Sequence, residues 1–273
     1  MMTANTAPEH RSAPRIGRGF GWTLRDSWTE AQRHLRAVPR DPELLIYSTL
    51  QPVMFILLFN YVFGGSIAAP GYDNYTQFLI PGILAQTVVF GSAFTSVGIA
   101  EDMQKGFMDR LRSLPMSQPA VLIGRTISDL LRNLLSFISM VLVSLAIGFR
   151  FEGGLFNAVI ATLLLLMFSY SLSWINALIG LSVKSIEAAN SAGFTWMFPL
   201  TFVSSAFVPI ENMTPWLRRV AEANPFTVLT DAVRALTNGH PVGDAVWQSI
   251  AWIVGITLVF AFLSIRKFTH MTG

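Results

Sequence analysis

Residues 155–183, LFNAVIATLLLLMFSYSLSWINALIGLSV, run for 29 positions without one charged side chain. A bilayer core takes about 20 apolar residues of helix, and a helix on the surface of a soluble domain would show a polar face. The stretch therefore reads as a membrane span. Working outward from it, five more apolar runs appear at 44–63, 78–98, 130–149, 189–209 and 245–265. Pro52, Pro81 and Pro199 interrupt three of the runs, which membrane helices tolerate because neighbours re-satisfy the freed carbonyls. The fold class is all-α: a polytopic membrane protein of six transmembrane helices.

Composition agrees. Of the 273 residues 52% are hydrophobic and only 13% charged, with a mean hydropathy of +0.50. Soluble domains carry about 25% charged residues, so this chain has too little polar surface to cover itself in water. There is no cysteine, hence no disulfide framework and no thiolate metal site. The four histidines, His10, His34, His240 and His270, lie far apart, and no metal site is expected.

Basic residues set the orientation. With the N-terminus in the cytoplasm, 15 of the 19 Lys and Arg residues fall inside. Arg150, Arg218, Arg219 and Arg234 are left outside. This bias predicts a multi-pass protein of the cell membrane with both termini cytoplasmic. Its basic tail is the flank of a membrane protein, and no nucleic-acid partner is expected.

Residues 1–21 are expected to form a disordered cytoplasmic tail, and nothing there reads as a signal peptide. Residues 22–43 supply an amphipathic helix and its connector, with Leu24, Trp28, Ala31, Leu35 and Val38 on one face and arginines opposite. Such a helix lies flat in the membrane interface or packs on a soluble partner. Residues 44–273 are read as a single transmembrane domain.

The segment between runs five and six holds two more stripes. One is Trp216, Leu217 and Val220; the other, Phe226, Leu229, Val233 and Leu236, stops at Asn238 and Gly239. Two readings stay open: short outer-leaflet helices whose Arg218, Arg219 and Arg234 reach lipid headgroups, or a compact solvent-facing cap.

Runs one, two, five and six have no Asp, Glu, Lys, Arg or His in their interiors, which argues against a proton-coupled carrier, a stand-alone channel or an intramembrane hydrolase. HExxH, GxSxG and any Gly-Lys dipeptide are absent, so the chain has no P-loop and no catalytic residue is assigned. Scattered polar groups in runs two and five, Gln86, Ser92, Thr95, Thr195 and Ser204, lie among aromatics such as Phe198. They line a translocation path or bond neighbouring helices. Ser169, Ser173 and Ala177 form a small-residue ridge, suited to packing within a protomer or between two.

One cytoplasmic loop stands apart: residues 101–119, EDMQKGFMDRLRSLPMSQP. It opens on Glu101 and Asp102, breaks at Gly106 and ends at Pro115 and Pro119. Phe107, Leu111 and Leu114 share one helical face, with Lys105, Asp109, Arg110 and Arg112 around it. A short amphipathic helix of this kind docks in a groove of a soluble partner or lies on headgroups.

The stretch GFMDRLRSLPMSQPAVLIGRTISDLLRN, residues 106–133, resembles the region between the second and third spans of ABC-2 type permeases, especially the daunorubicin-resistance-type drug-export permeases. FVSSAFVPIENMTPWLRRVAEANPF and FTVLTDAVRALTNG, at 202–226 and 226–239, resemble them too. The likeness runs from about residue 22 onward. It implies an interfacial N-terminal helix and short outer-leaflet helices between spans five and six. It also implies a coupling helix between spans two and three, inserted into a separate ATPase subunit. Coupling then falls to Glu101, Asp102, Lys105, Gly106, Phe107, Arg110, Leu111, Leu114 and Pro115. ATP and Mg belong to that partner, and a second permease, identical or related, completes the complex. The implied cargo is amphipathic: a drug or antibiotic, a lipid, or a glycolipid or polysaccharide.

Overall fold

In the computed structural model of the protein the described residues are 42–63, 71–72, 74–106 and 118–270. The tail 1–21, the amphipathic segment up to residue 41, and Phe107, Arg110, Leu111, Leu114 and Pro115 lie outside them. Every regular element among the described residues is helical.

Ten α-helices follow in order: α1 (Pro42–Leu58), α2 (Tyr75–Ser92), α3 (Phe94–Gln104), α4 (Gln118–Ile147), α5 (Gly154–Gly180), α6 (Ile186–Thr195), α7 (Met197–Phe202), α8 (Pro215–Glu222), α9 (Pro225–Asn238) and α10 (Ala245–His270). Among the described residues four stretches are long and apolar enough to cross a membrane: Tyr75–Gln104, Leu122–Ile147, Gly154–Gly180 and Ala245–His270. They correspond to runs two, three, four and six. Run one forms α1, continued by a π-helical turn at Phe59–Phe63.

Run five is not one rod. α6 ends at Thr195, α7 takes only six residues, and a turn follows from Val203. Pro199 supplies no N–H for the Thr195 carbonyl four residues back, so the helix breaks at Trp196 and resumes with Pro199 in the first turn of α7. The carbonyls freed at the end of α7 are taken by Asn224, whose Nδ2 donates to Leu200 O at 2.7 Å and Val203 O at 2.6 Å.

The continuous pair α2–α3 is the central post. Of its most apolar stretch 78% of residues are buried, against 17% in α10, so α10 leaves much of its surface to lipid. The post packs on α4, α5 and α9. Small residues permit the approach. A Cβ at Gly180 of α5 would meet Ser96 O at 2.6 Å, and one at Gly82 would collide with the Ala206 backbone. The ridge of Ser169, Ser173 and Ala177 is buried within this chain.

Candidate functional site

The last turn of α3 carries Glu101 and Asp102, and Gly106 ends it in a left-handed conformation, φ +63°. That geometry favours glycine and is a common way to stop a helix. Glu101 pairs with Lys105 at the surface, and the hydrogen bond to that carboxylate raises the Lys105 pKa above its ordinary value.

Directly across the 107–117 segment, α4 presents Arg125, Asp129 and Arg132. Their spacing of four and three places them on one stripe. Asp129 accepts from Arg125 Nε at 3.3 Å and from Arg132 Nη2 at 3.2 Å. Arg125 Nη1 donates to Asp102 Oδ2 of α3 at 3.1 Å. The Arg132 guanidinium lies 4.8 Å from the ring centre of Phe94. Two carboxylates and two guanidiniums balance, as sparingly hydrated charges must. The Asp129 side chain is only 5% exposed.

Glycines make room for this clamp. A Cβ at Gly98 would fall on the Arg125 guanidinium, and one at Gly91 on the Asn133 carboxamide. One turn deeper, Asn133 Nδ2 donates to Val88 O at 2.9 Å and Ser169 Oγ at 2.7 Å, and Ser169 Oγ donates to Val88 O. Asn176 Nδ2 reaches Ser92 Oγ at 3.3 Å. Spans two, three and four are therefore cross-linked below the loop by polar bonds inside an apolar bundle. Asp102, near the end of α3, and Arg125, in the second turn of α4, are joined directly by that clamp.

A second hub sits at the other end of the post, about 36 Å away at 1.5 Å per residue from Phe78 to Asp102. Here Arg234 of α9 does not extend toward headgroups. It is 3% exposed. Its Nε donates to Phe78 O at 2.9 Å, Nη2 to Ser205 O at 2.8 Å and Nη1 to Asp231 Oδ1 at 2.8 Å. Its guanidinium lies 3.8 Å from the ring centre of Phe78. Tyr75 Oη donates to Phe207 O at 2.7 Å beside it. Burial raises the Asp231 carboxyl above the ordinary carboxylate range, while Arg234 and Ser205 draw it back.

Phe226, Leu229, Val233 and Leu236 of α9 are buried, whereas Trp216, Arg218 and Arg219 of α8 are exposed. The two stripes thus meet different surroundings. Gln86, Ser92, Thr95 and Ser204 lie in the interior, while Thr195 and Phe198 stand on the exposed face of α6–α7. These six residues do not share one surface.

The profile of the ABC-2 type transporter family matches residues 26–237. The chain belongs to that family. The ABC-2 chain is 35% identical to the daunorubicin resistance ABC transporter permease protein DrrB1 of Streptomyces coeruleorubidus, over 89% of this chain and 85% of that one. It is 22% identical to the probable doxorubicin resistance ABC transporter permease protein DrrC of Mycobacterium tuberculosis, over 85% and 84%. It is also 26% identical to the probable multidrug ABC transporter permease YbhR of Escherichia coli, over 67% and 50%. As an ABC-2 permease it is a multi-pass membrane protein.

Among the permease's charged residues, Asp129 is expected to matter far more than Glu101. Asp129→Asn leaves two poorly solvated guanidiniums facing each other without their shared anion, at a cost of about 3 kcal/mol. Thermal unfolding in detergent should show a clearly lowered midpoint, with Asp129→Glu recovering most of it. Glu101→Gln removes only a surface pair and should leave the midpoint in place.

Proposed function

We propose that the chain is the membrane-spanning subunit of an ATP-driven exporter of amphipathic hydrophobic compounds, drugs or lipids. A separate ATPase subunit binds ATP and Mg, and the segment Lys105–Pro115 docks in it as a coupling helix. Closure of the ATPases pushes that helix, and the push reaches spans two and three together.

The observation that carries this reading is the clamp: Asp102 at the end of one span is bonded to Arg125 at the start of the next, 3.1 Å apart, across the base of the loop. A loop serving only as a connector needs no such brace, whereas a lever needs a stiff root. The names of the relatives, daunorubicin, doxorubicin and multidrug permeases, support the cargo class. A second permease completes the passage. Support for it comes from Thr195 and Phe198, polar and aromatic side chains exposed on run five.

Cargo-stimulated ATP hydrolysis tests the proposal. The permease and its ATPase, copurified and placed in liposomes, are expected to respond to hydrophobic amphiphiles and not to free sugars. A response to a hydrophilic sugar with none to drugs or lipids would overturn it.

Orientation is checked separately. The chain has no cysteine, so Asn212→Cys and His270→Cys each introduce a single label site. A membrane-impermeant maleimide is expected to label the Asn212→Cys protein on intact cells, and the His270→Cys protein only after permeabilisation. Labelling of both from one side would remove an odd number of spans from the topology.

A further inference from the structure

The broken end of run five leaves a space. Between α7 and α8 lies an open cavity of about 610 Å³, lined by Pro199, Leu200, Val203, Val220, Ala223 and Arg219 among others. Its size falls within the range of about 300–1,000 Å³ typical of small-ligand sites. The walls are largely aliphatic, and one cation stands at the rim.

Among the described residues that cation is uncommitted. Arg218 pairs with Glu222 at 2.9 Å. The adjacent Arg219 guanidinium has no ion pair or hydrogen bond among the described residues. The helix around it is amphipathic, with Trp216 69% and Val220 53% exposed. An apolar stripe bearing arginines is the pattern of a helix seated at the membrane interface. A free phosphate would gain from Arg219 but nothing from the aliphatic walls. A cationic amphiphile would gain from the walls but be repelled by the guanidinium. An anionic amphiphile uses both.

We propose that this cavity binds an anionic phospholipid of the adjoining leaflet, with its phosphate on Arg219 and an acyl chain along Leu200, Val203 and Val220. The site needs only the chain's place in a membrane. It does not depend on the coupling segment or on the exported cargo.

The test weighs the intact permease in mild detergent by native mass spectrometry during titration with phosphatidylglycerol or phosphatidylcholine of identical chains. The parent is expected to prefer phosphatidylglycerol by about fivefold, the worth of one arginine near an anionic headgroup. Arg219→Gln should erase that preference, while Arg219→Lys and Arg218→Gln keep it. Glycerol phosphate at the same concentration should displace nothing. Three results would overturn the proposal. The first is an Arg219→Gln protein that keeps the parent's preference. The second is displacement by glycerol phosphate, which would mark a headgroup-only anion site. The third is a dimer mass lost in Arg219→Gln without any change in lipid binding, which would give the face to a second copy. A preference lost equally in Arg219→Lys would also count against the charge argument.

Discussion

Arg234→Met is expected to lower the stability of the permease by about 1–3 kcal/mol, the usual cost of leaving buried acceptors without a donor. The carboxylate of its ion pair, Asp231, is 44% exposed and adds little. The methionine fills part of the volume but none of the bonding. Phe78 O and Ser205 O lose their donors, and Asp231 keeps only Ser205 Oγ, at 2.6 Å. Arg234→Lys should recover only part of the loss, because an ammonium cannot present a planar fork to three acceptors at once.

The effect depends on pH, with a definite sign. Burial already raises the Asp231 carboxyl above its ordinary value, so in the fold it holds its proton more tightly than in the unfolded chain. A carboxyl of that kind costs stability as pH rises through its unfolded and then its folded pKa. Without Arg234 the raise is larger. The Arg234→Met protein should therefore be most unstable at neutral pH and regain part of the loss in mild acid. Thermal unfolding at two pH values reads both effects. A midpoint equal to the parent's at neutral pH would show that Arg234 is not a keystone.

Phe107→Asp and Leu111→Asp are expected to cut export at least about tenfold, since a carboxylate pressed into a dry apolar groove costs several kcal/mol. Neither position lies in an apolar run, so insertion and abundance should stay near the parent's. Arg110→Glu should give a smaller loss that shrinks as salt is raised, as expected of a charge contact at a wet rim. Export from intact cells, normalised to the permease in the membrane, separates these outcomes from poor expression. Export at the parent's rate would make the loop a passive connector.

Much of this architecture is legible in the residues. Runs two, three, four and six stand as helices because an unbroken apolar stretch of span length has few alternatives in a chain this poor in charge. The break in run five is harder to read. Pro81 and Pro199 look alike in sequence, yet α2 continues through Pro81 and α7 stops three residues after Pro199. The difference is tertiary: Asn224, distant in sequence, takes up the freed carbonyls.

Arg234 misleads for a related reason. Beside the apolar stripe of α9 it resembles an outward cation of an interfacial helix. The contrary signal lies in Asp231, Arg234 and Asn238, whose spacing of three and four gives α9 a polar stripe of its own. That stripe bonds Ser205, Phe78 and Gln77. The clamp on α4 is half legible. Asp129 and Arg132 stand out at the end of run three, but their link through Arg125 to Asp102 needs the close approach permitted by Gly98. The spacing of Gly91 and Gly98, seven residues, nearly matches that of Asn133 and Arg125, eight residues. Antiparallel neighbours can be sought by that correspondence.

In the proposed exporter the segment Lys105–Pro115 sits in the ATPase subunit and carries its motion to the spans. Leu111→Cys in the cysteine-free chain, paired with single cysteines along the groove of the ATPase, tests it most directly by disulfide cross-linking in liposomes. A cross-link in high yield is expected, with cargo-stimulated ATP hydrolysis lost on oxidation and restored by reductant. Failure to cross-link at any groove position in an assembled, cargo-responsive complex would contradict it.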